Sequence, residues 1–429
     1  MYDVATANVF RSTDARSLDR VFGDSRMVRR AVLAVVAIMV VIVGSVVAST
    51  PAGAVVDTAT VVPSPNPGVI SNVLNSVSCV SASWCAAVGE ADGQLALAWN
   101  GTSWADVANP GLGGSLMMVS CATTSSCFAF GYSGTGLAWD GVSWTQAPNP
   151  LTQSGVSGQV LRLNCFTASR CIAVGSFIAP VDGQFYWKPL VLVWDGTNWT
   201  KQETPSPGGP GTPDAAGLSA NNLAYVSCVA ENSCTAVGTY DDGTGGKALI
   251  LAWDGNSWTQ VTAPNLGTSE SGLISVSCVS ASWCSAVGQY NDVVGSQPLV
   301  LVWDGVSWTQ VASPNLNAPY GRLVEVSCVS TSSCVAVGNY GDNAEAKPLV
   351  LVWDGLSWTQ LSSPNLSSGR NYLSAVSCVS ASLCTAVGFS VDDGFGHAKT
   401  LVVSLTTAPP VPTTTSSISD DPVAPTFTG

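Results

Sequence analysis

The sequence predicts an all-β fold, a seven-bladed β-propeller of four-stranded blades with one disulfide in each blade. Three observations favour this fold. Fourteen cysteines fall into seven pairs with the spacing C-x5-C, the segment W-[DN]-G-x-[SN]-W follows six of those pairs, and the repeat is 50 residues long from Cys228 onward. Four short segments without a helical period fit inside each repeat, as they do in a propeller blade.

Composition restricts the class of protein. The chain has 429 residues, of which 10% are charged, and a net charge of −13. Val, Ser, Thr, Trp and Gly are prominent, which is typical of strands and turns. The acidic balance argues against nucleic acid as a partner, because phosphate neutralisation requires clustered Lys and Arg. It agrees with solubility outside the cell.

The N-terminus resembles an export signal. An apolar run over residues 31–48 follows Arg29 and Arg30 and precedes the Ala-Gly-Ala sequence 52–54, which is the order of a secretory signal. We interpret residues 1–54 as an N-terminal extension plus a signal peptide or signal anchor, starting at Met1 or Met27. The run is at the lower edge for spanning a bilayer, so an uncleaved transmembrane helix is the alternative. The predicted location is secreted, or cell-surface anchored through residues 31–48.

The cysteine pattern agrees with export. An even number of cysteines in local pairs behind a signal favours disulfides. Zinc usually takes closer cysteine pairs or histidine partners, and the chain has a single histidine, His397. The predicted disulfides are Cys79–Cys85, Cys121–Cys127, Cys165–Cys171, Cys228–Cys234, Cys278–Cys284, Cys328–Cys334 and Cys378–Cys384.

Residues 322–363 illustrate one predicted blade. RLVEVSCVS and CVAVGNY form a hairpin that the cysteine pair closes, KPLVLVWDG is an apolar third strand, and SWTQLSS is a more polar fourth strand. The apolar third strand is expected to be buried on both faces. Asp-Gly between the third and fourth strands favours the positive φ angles of a tight hairpin. The two tryptophans of each signature are predicted to pack between neighbouring blades.

The two ends of the chain share one repeat. The seventh repeat stops after LVVSL, residues 401–405, without a fourth strand, whereas TVVPSPNP at 60–67 aligns with TQVASPNL at 309–316. We predict that the mature N-terminus supplies the outer strand of the last blade and closes the ring, leaving no open strand edge. The propeller then covers 55–406. The Pro/Thr/Ser-rich residues 407–429 are predicted to form a disordered tail.

Two motifs resemble known repeat families. Val337-Gly338-Asn339-Tyr340 and the tryptophan spacing resemble kelch-type repeats, with one glycine in place of two. The D-G-x-S-W segment is similar to the Asp-box of sialidase-like propellers, with one residue fewer between Asp and Gly. Over nearly its whole mature length the chain thus resembles secreted bacterial propellers of these types. The resemblance implies the fold and carries over no catalytic residue.

Catalytic chemistry is poorly represented. His397 alone could complete a Ser-His-Asp triad, and we interpret it as a surface-loop residue. No glycine-rich phosphate loop follows a strand. A sialidase-like site would need clustered arginines, but those of the mature chain do not recur at one repeat position; they are Arg162, Arg170, Arg322 and Arg370. We therefore expect no enzyme.

The strongest functional signal is a rim of variable loops. Loops between second and third strands, and between blades, share one rim, and variable loops on a rigid scaffold commonly carry binding sites. Carboxylates beside flat aromatics suit carbohydrate, and a ring of carboxylates could hold Ca²⁺. The predicted ligand-binding residues are Tyr240, Asp241, Asp242, Tyr290, Asp292, Tyr340, Asp342, Asp392 and Asp393. The same loops carry Glu90, Asp92, Asp182, Tyr132, Phe177 and Phe389. The alternative is that the carboxylates are solvated turn residues and the aromatics pack under the loops.

These features predict a monomeric, non-catalytic secreted or cell-surface binding module for glycan or a surface protein. The alternatives are a polysaccharide-active hydrolase or lyase and a purely structural scaffold of the cell envelope. The fold cannot decide between them, because one fold supports many functions. No cofactor other than Ca²⁺ is expected.

Overall fold

The computed structural model describes residues 55–181, 183–207, 221–264, 270–341, 345–365, 369–391 and 397–407. Over these residues the chain forms 28 strands and one short helix. The strands group into seven antiparallel four-stranded units, and two consecutive units are joined by a single parallel pairing, Ser296 with Tyr320. The fold is therefore all-β, with repeated four-stranded sheets as predicted.

Six of these units are continuous in sequence. Unit 1 comprises β2 (Val73–Ser81), β3 (Trp84–Glu90), β4 (Gln94–Trp99) and β5 (Trp104–Asp106). Unit 2 comprises β6 (Met118–Thr123), β7 (Ser126–Phe130), β8 (Gly136–Trp139) and β9 (Trp144–Gln146). Unit 3 comprises β10 (Gly158–Thr167), β11 (Arg170–Val181), β12 (Gln184–Trp194) and β13 (Trp199–Gln202). Unit 4 comprises β14 (Asn222–Ala230), β15 (Ser233–Asp241), β16 (Gly246–Trp253) and β17 (Trp258–Gln260). Unit 5 comprises β18 (Ser271–Ser280), β19 (Trp283–Asn291), β20 (Ser296–Trp303) and β21 (Trp308–Gln310). Unit 6 comprises β22 (Tyr320–Ser330), β23 (Ser333–Gly341), β24 (Ala346–Trp353) and β25 (Trp358–Leu361).

Unit 7 is assembled from both ends of the described chain. It contains β26 (Arg370–Ser380), β27 (Leu383–Val391) and β28 (Ala398–Thr406), and β28 pairs with the N-terminal strand β1 (Thr58–Val61). The register runs from Thr58 opposite Thr406 to Val61 opposite Val403. The predicted pairing of the N-terminal segment with the last repeat is therefore present.

The helix α1 (Pro150–Ser154) was not predicted. It lies in the connection between units 2 and 3. The Asn149 side chain caps it by accepting hydrogen bonds from the backbone N–H groups of Leu151 and Thr152 at 2.9 and 3.2 Å. Asparagine before proline at the first helical position is a favourable helix start, so this local signal could have revealed the helix.

The first hairpin of every unit is closed by a disulfide. All seven predicted disulfides are present, with the two cysteines of each pair directly opposite each other, as Cys328 is to Cys334. Covalent closure of the hairpin restricts the unfolded chain, which stabilises the folded state.

The turn between third and fourth strands depends on its Asp or Asn and its Gly. In W-D-G-V-S-W, Asp304 accepts hydrogen bonds from the backbone N–H groups of Val306 and Ser307, both at 2.8 Å. Gly305 has a φ of 93°, a conformation that glycine adopts without strain. These backbone hydrogen bonds lower the pKa of Asp304. The Asp of the Asp-box-like segment is thus a turn residue.

The hydrophobic core lies between neighbouring units. Seven buried clusters each draw their residues from two units. One of them contains Val237 and Ile250 of unit 4 together with Trp308 of unit 5, and Trp303 of unit 5 packs against it. The predicted packing of the tryptophans between repeats is confirmed in these clusters. The cluster around Trp104 of unit 1 includes residues of unit 7.

A belt of hydrogen bonds also links the units. The backbone N–H of the first cysteine in each unit donates to the side chain that precedes the first cysteine of the unit before it. Cys328 donates to Ser277 Oγ at 3.0 Å, and Cys79 of unit 1 donates to Ser377 Oγ of unit 7 at the same distance. The other donor–acceptor pairs are Cys121–Ser78, Cys165–Ser120, Cys228–Asn164, Cys278–Ser227 and Cys378–Ser327.

No helix in the described part of the chain is long and apolar enough to cross a membrane. The apolar run at 31–48 and residues 408–429 lie outside the described residues. The signal, the membrane anchor and the disordered tail therefore stay predictions.

Candidate functional site at the central cavity

A cavity of about 430 Å³ lies where the first strands of the seven units come together. We call it the central cavity. Every unit lines it with the residue four positions before its first cysteine: Asn75, Met117, Leu161, Ala224, Ile274, Val324 and Ser374. Further lining comes from the ends of second strands and the turns that follow them, including Tyr132, Asn339 and Phe389. The cavity is therefore on the side of the variable loops.

A β-bulge places most of these side chains in the cavity. In six units the pairing of the first and second strands skips one residue, as between Leu323 and Glu325 in β22. The skipped residue there is Val324, which lines the cavity. A bulge leaves one residue unpaired and redirects its side chain. The repeated bulge thus produces a repeated cavity-facing position.

A glycine opposite the bulge makes this geometry feasible. A Cβ atom on Gly338 would lie 2.0 Å from the carbonyl oxygen of Arg322, too close for any other residue. Glycines at the same offset meet the same obstacle; they are Gly89, Gly131, Gly175, Gly238, Gly288 and Gly388. The glycine at this position of each unit is therefore required for close approach of two backbones.

Arg162 is held by an aromatic ring and two carbonyl groups. Its guanidinium carbon lies 5.8 Å from the centroid of the Tyr225 ring, within the range of a cation–π interaction. Its Nη1 donates to the carbonyl oxygens of Met117 and Leu161 at 3.4 and 3.3 Å. These contacts hold a positive charge against the cavity wall.

Buried Glu325 and half-buried Tyr225 form a polar pair beside Arg162. The Tyr225 hydroxyl donates to Glu325 Oε1 at 2.5 Å, and Glu325 Oε2 accepts from the backbone N–H of Val376 at 2.9 Å. Burial raises the pKa of Glu325, although the charge of Arg162 acts in the opposite direction. Burial, followed by the charge of Glu325, raises the pKa of Tyr225 well above its ordinary value. Tyr225 therefore keeps its proton at ordinary pH.

Arg322 lines the cavity with an unsatisfied donor. Its Nε is buried and has no hydrogen-bond partner among the described residues. The adjacent wall carries Tyr372 and Phe389, whose rings stack with centroids 4.9 Å apart and planes 25° apart. In the described ranges neither Arg162 nor Arg322 takes part in an ion pair. The cavity therefore combines two positive charges with aromatic and aliphatic walls.

The predicted rim tyrosines lie between units. Tyr240, Tyr290 and Tyr340 are half-buried, and each packs against the hydrophobic cluster between its own unit and a neighbour. This placement matches the alternative in which aromatics pack under the loops. Two other aromatics of the same loop set, Tyr132 and Phe389, line the central cavity instead. Ligand binding by the three tyrosines stays a prediction.

The rim carboxylates that are described stabilise their own turns. Asp241 accepts from the backbone N–H of Gly243 at 2.8 Å, and Asp292 accepts from that of Val294 at 2.7 Å. Asp242 pairs with Lys247, whose hydrogen bond is the main cause that lowers the pKa of Asp242 to about 2. Asp342, Asp392, Asp393 and Asp182 lie outside the described residues.

Metal binding stays a prediction. Within the described ranges, no group of three or more His, Cys, Asp or Glu side chains is placed to hold a metal ion. The predicted Ca²⁺ ring includes four aspartates that lie outside the described residues: Asp182, Asp342, Asp392 and Asp393. His397, the one histidine, is exposed.

Sequence reasoning missed the arginines of the cavity. Arg162 lies three residues before Cys165 and Arg322 lies six residues before Cys328, so no shared repeat position connects them. A signal was nevertheless present. Both arginines stand in the first strand of their repeats, where most other repeats have apolar or small polar residues.

Comparisons with known proteins support the fold. No protein-family model matches the chain, and no curated protein has a matching sequence. The solved structure of YCF48 bound to D1 peptide matches with a TM-score of 0.50 at 13% identity, over 82% of this chain and 97% of that one. The WD40 beta propeller domain of Doa1 matches with a TM-score of 0.50 at 13% identity, over 81% and 96%. The RRP9 WD40 repeats match with a TM-score of 0.53 at 10% identity, over 82% and 99%.

At such identities the likeness shows the fold alone, and that fold is a β-propeller. The kelch-type, Asp-box and bacterial resemblances stay predictions.

Proposed function

We propose that this chain is an exported, non-catalytic seven-bladed β-propeller that binds a segment of a partner protein in its central cavity. The observation that carries the proposal is the cavity itself. It has a volume of about 430 Å³, mostly aromatic and aliphatic walls, and two arginines in a chain whose net charge is −13. Cavities of this size with apolar walls and a few polar groups are typical binding sites.

Several contacts support a closed ring of seven blades. Each unit shares a hydrophobic cluster with the next, and Trp104 of unit 1 shares one with Ala375, Val387 and Val402 of unit 7. The belt of hydrogen bonds from the first cysteines also passes from unit 7 to unit 1. A ring places all seven first strands around one axis, which accounts for a single cavity lined by every unit.

A second set of contacts fastens the connection between β1 and β2. Asp92 accepts hydrogen bonds from the backbone N–H groups of Val69, Ile70 and Ser71, between 2.5 and 3.3 Å. Asn72 donates its backbone N–H to the carbonyl oxygen of Ala398 at 3.0 Å. These bonds join the loop after β1 to unit 1 and unit 7, as ring closure by the N-terminal strand requires.

Export is supported by the cysteines. Each of the seven four-stranded units carries one disulfide, and disulfides persist mainly in oxidising compartments. The signal-like residues 31–54 point the same way. Location in solution or at the cell surface, through a signal that is cleaved or retained, is part of the proposal.

A protein partner is favoured over carbohydrate by the nature of the cavity wall. The YCF48 structure holds a D1 peptide, which shows that one protein of this fold accepts a peptide. Glycan binding by the loop rim has less support, because the three rim tyrosines are half-buried between units. A scaffold of the cell envelope and an enzyme acting on polysaccharide are the remaining alternatives.

The test is to fill the cavity. A displayed random-peptide library is selected on the purified oxidised protein, and the selected peptides are measured on Ala224→Trp and Val142→Ala. Ala224 lines the cavity, whereas Val142 is 85% exposed on a turn between third and fourth strands. We expect Ala224→Trp to abolish peptide binding and Val142→Ala to leave it unchanged.

Two results would contradict the proposal. One is a library that yields no binding peptide, and the other is peptides that bind both variants equally. Glycan binding that survives Ala224→Trp but is lost on joint replacement of Tyr240, Tyr290 and Tyr340 by alanine would assign function to the loop rim instead.

A further inference from the structure

We infer that the central cavity is a receptor for a carboxylate attached to an aromatic or aliphatic group, with Arg322 as the residue that contacts the carboxylate. The inference rests on the proposed function, because it names the chemistry of the group that a partner would insert. The distribution of charge is its first support. Residues 55–429 contain four arginines, and two of them line this one cavity.

Arg322 carries a buried hydrogen-bond donor, its Nε, without an acceptor among the described residues. A guanidinium group stays charged at all ordinary pH values and offers donors only. Leaving such a donor buried and unpaired is costly, so each case requires an explanation. An acceptor brought by a ligand would supply the missing hydrogen bond.

The geometry of a guanidinium group favours a planar acceptor. Nε and the adjacent Nη present two parallel N–H groups, which match the two oxygens of a carboxylate. Arg162 is already engaged with the Tyr225 ring and with two carbonyl oxygens. Arg162, which lines the same cavity, takes part in no ion pair within the described ranges and adds a positive charge to the cavity.

The cavity walls indicate the chemistry of the part of the ligand that carries the carboxylate. The stacked rings of Tyr372 and Phe389 stand on the same cavity as Arg322, and Met117, Leu161 and Ile274 line it with aliphatic side chains. A free inorganic anion would leave these surfaces uncovered. A carboxylate on an apolar body, such as an acidic peptide segment with a neighbouring aromatic residue, would cover them and gain from burial of apolar area.

The experiment compares an acid with its neutral analogue. N-acetylphenylalanine, N-acetylphenylalaninamide and inorganic phosphate are titrated into the purified oxidised protein by calorimetry, or by nuclear magnetic resonance for weak binding. We expect the acid to bind about 10- to 100-fold more tightly than the amide, which is the usual value of a charge-assisted hydrogen bond. Phosphate should bind more weakly than the acid.

Three variants identify the arginine. Arg322→Gln should abolish the preference for the acid, and Arg322→Lys, which keeps the charge without the paired donors, should retain part of it. Arg370→Gln is the matched control, because Arg370 is exposed at the start of β26 and does not line the cavity. It should leave the preference unchanged. Melting curves of all variants confirm that each is folded.

The inference is overturned if the acid fails to bind or binds no better than the amide. It is also overturned if a folded Arg322→Gln variant keeps the preference, or if phosphate binds as tightly as the acid. Its failure is separable from that of the proposed function. If selected peptides fail to bind Ala224→Trp but bind Arg322→Gln as tightly as the unchanged protein, only the proposed function is supported. If the acid binds through Arg322 but the library yields no binding peptide, only the carboxylate receptor is supported.

Discussion

Glu325 is the residue in which burial and charge conflict most directly. Only 4% of it is exposed, and its two oxygens contact the Tyr225 hydroxyl and the Val376 N–H. Burial raises its pKa above the ordinary 4.5. A raised pKa in the folded state means that the stabilising contribution is complete below pH 4.5 and is lost as the pH rises through the folded-state pKa.

Replacing Glu325 by glutamine should therefore stabilise the protein at neutral pH. The amide can donate to the Tyr225 hydroxyl and accept from Val376 N–H without carrying a charge. We expect Glu325→Gln to increase the free energy of unfolding by about 1–3 kcal/mol at pH 8 and to have little effect at pH 4. Denaturant unfolding at the two pH values measures both quantities.

The control for this change is Glu203→Gln, because the Glu203 side chain is 91% exposed and its ion pair with Lys201 lies at the surface. Exposed ion pairs of this kind contribute little to stability. A Glu325→Gln variant that unfolds more easily at pH 8 would indicate that the folded protein keeps this carboxylate ionised against Arg162.

At the scale of the element, the bulge in the first strand and the glycine opposite it depend on each other. The bulge exposes Val324 and its equivalents to the cavity, and the glycine opposite lets the two backbones approach. In a regular strand, positions three residues apart point to opposite faces. The bulge between Arg322 and Glu325 restores them to one face.

We expect Gly338→Ala to be clearly destabilising. Its Cβ would lie 2.0 Å from the Arg322 carbonyl oxygen, and backbone atoms on both sides cannot move without breaking the hairpin. Forcing an extra carbon into such a contact costs about 1–3 kcal/mol. Thermal unfolding of the variant checks this value.

Gly93→Ala is the matched control, because a Cβ there would meet nothing within 4 Å. It should change the melting temperature little. If Gly338→Ala and Gly93→Ala melt alike, the close approach at the bulge does not explain the repeated glycine.

Features that recur in every repeat could be predicted from the sequence, whereas features that depend on the bulge could not. The disulfides, the third-to-fourth strand turns and the tryptophan packing each depend on a local pattern that recurs in every repeat, so counting was enough. Arg162 and Arg322 are different, because their offsets from the cysteines are three and six. The β-bulge places both arginines on the cavity side, and no pattern in the composition indicates that bulge.

At the scale of the whole molecule, the junction of units 7 and 1 is the distinctive region. Unit 7 has Leu405 opposite Ala59 where other units have their tryptophan pair. On the side facing unit 1, Thr385 and Ser404 line a further cavity of about 250 Å³. Unit 6 has the larger apolar Val335 and Val352 at these two positions. Small polar side chains of unit 7 therefore line a cavity at this junction, and β1 completes the sheet of unit 7.

Deleting residues 55–61 should lower the melting temperature by about 5–10 °C. The deletion removes buried Val56 and the whole of β1, and it exposes the edge of β28. Thr60→Ala in the full chain is the control, because Thr60 is exposed on the same strand. Differential scanning calorimetry measures the change, and an added peptide of residues 55–67 should restore part of it. A deletion variant that melts like the full chain would contradict closure by β1.

The antiparallel pairing of β1 with β28 also determines how the molecule would respond to tension. Thr58, at the beginning of β1, is opposite Thr406, at the end of β28, so the chain enters and leaves the propeller at one point. A pull between the two ends would load these pairs one after another, beginning with Thr58 and Thr406, and would not stretch the other six units. The four residue pairs of this ladder would then separate first, at low force, while the disulfide-closed hairpins stay folded.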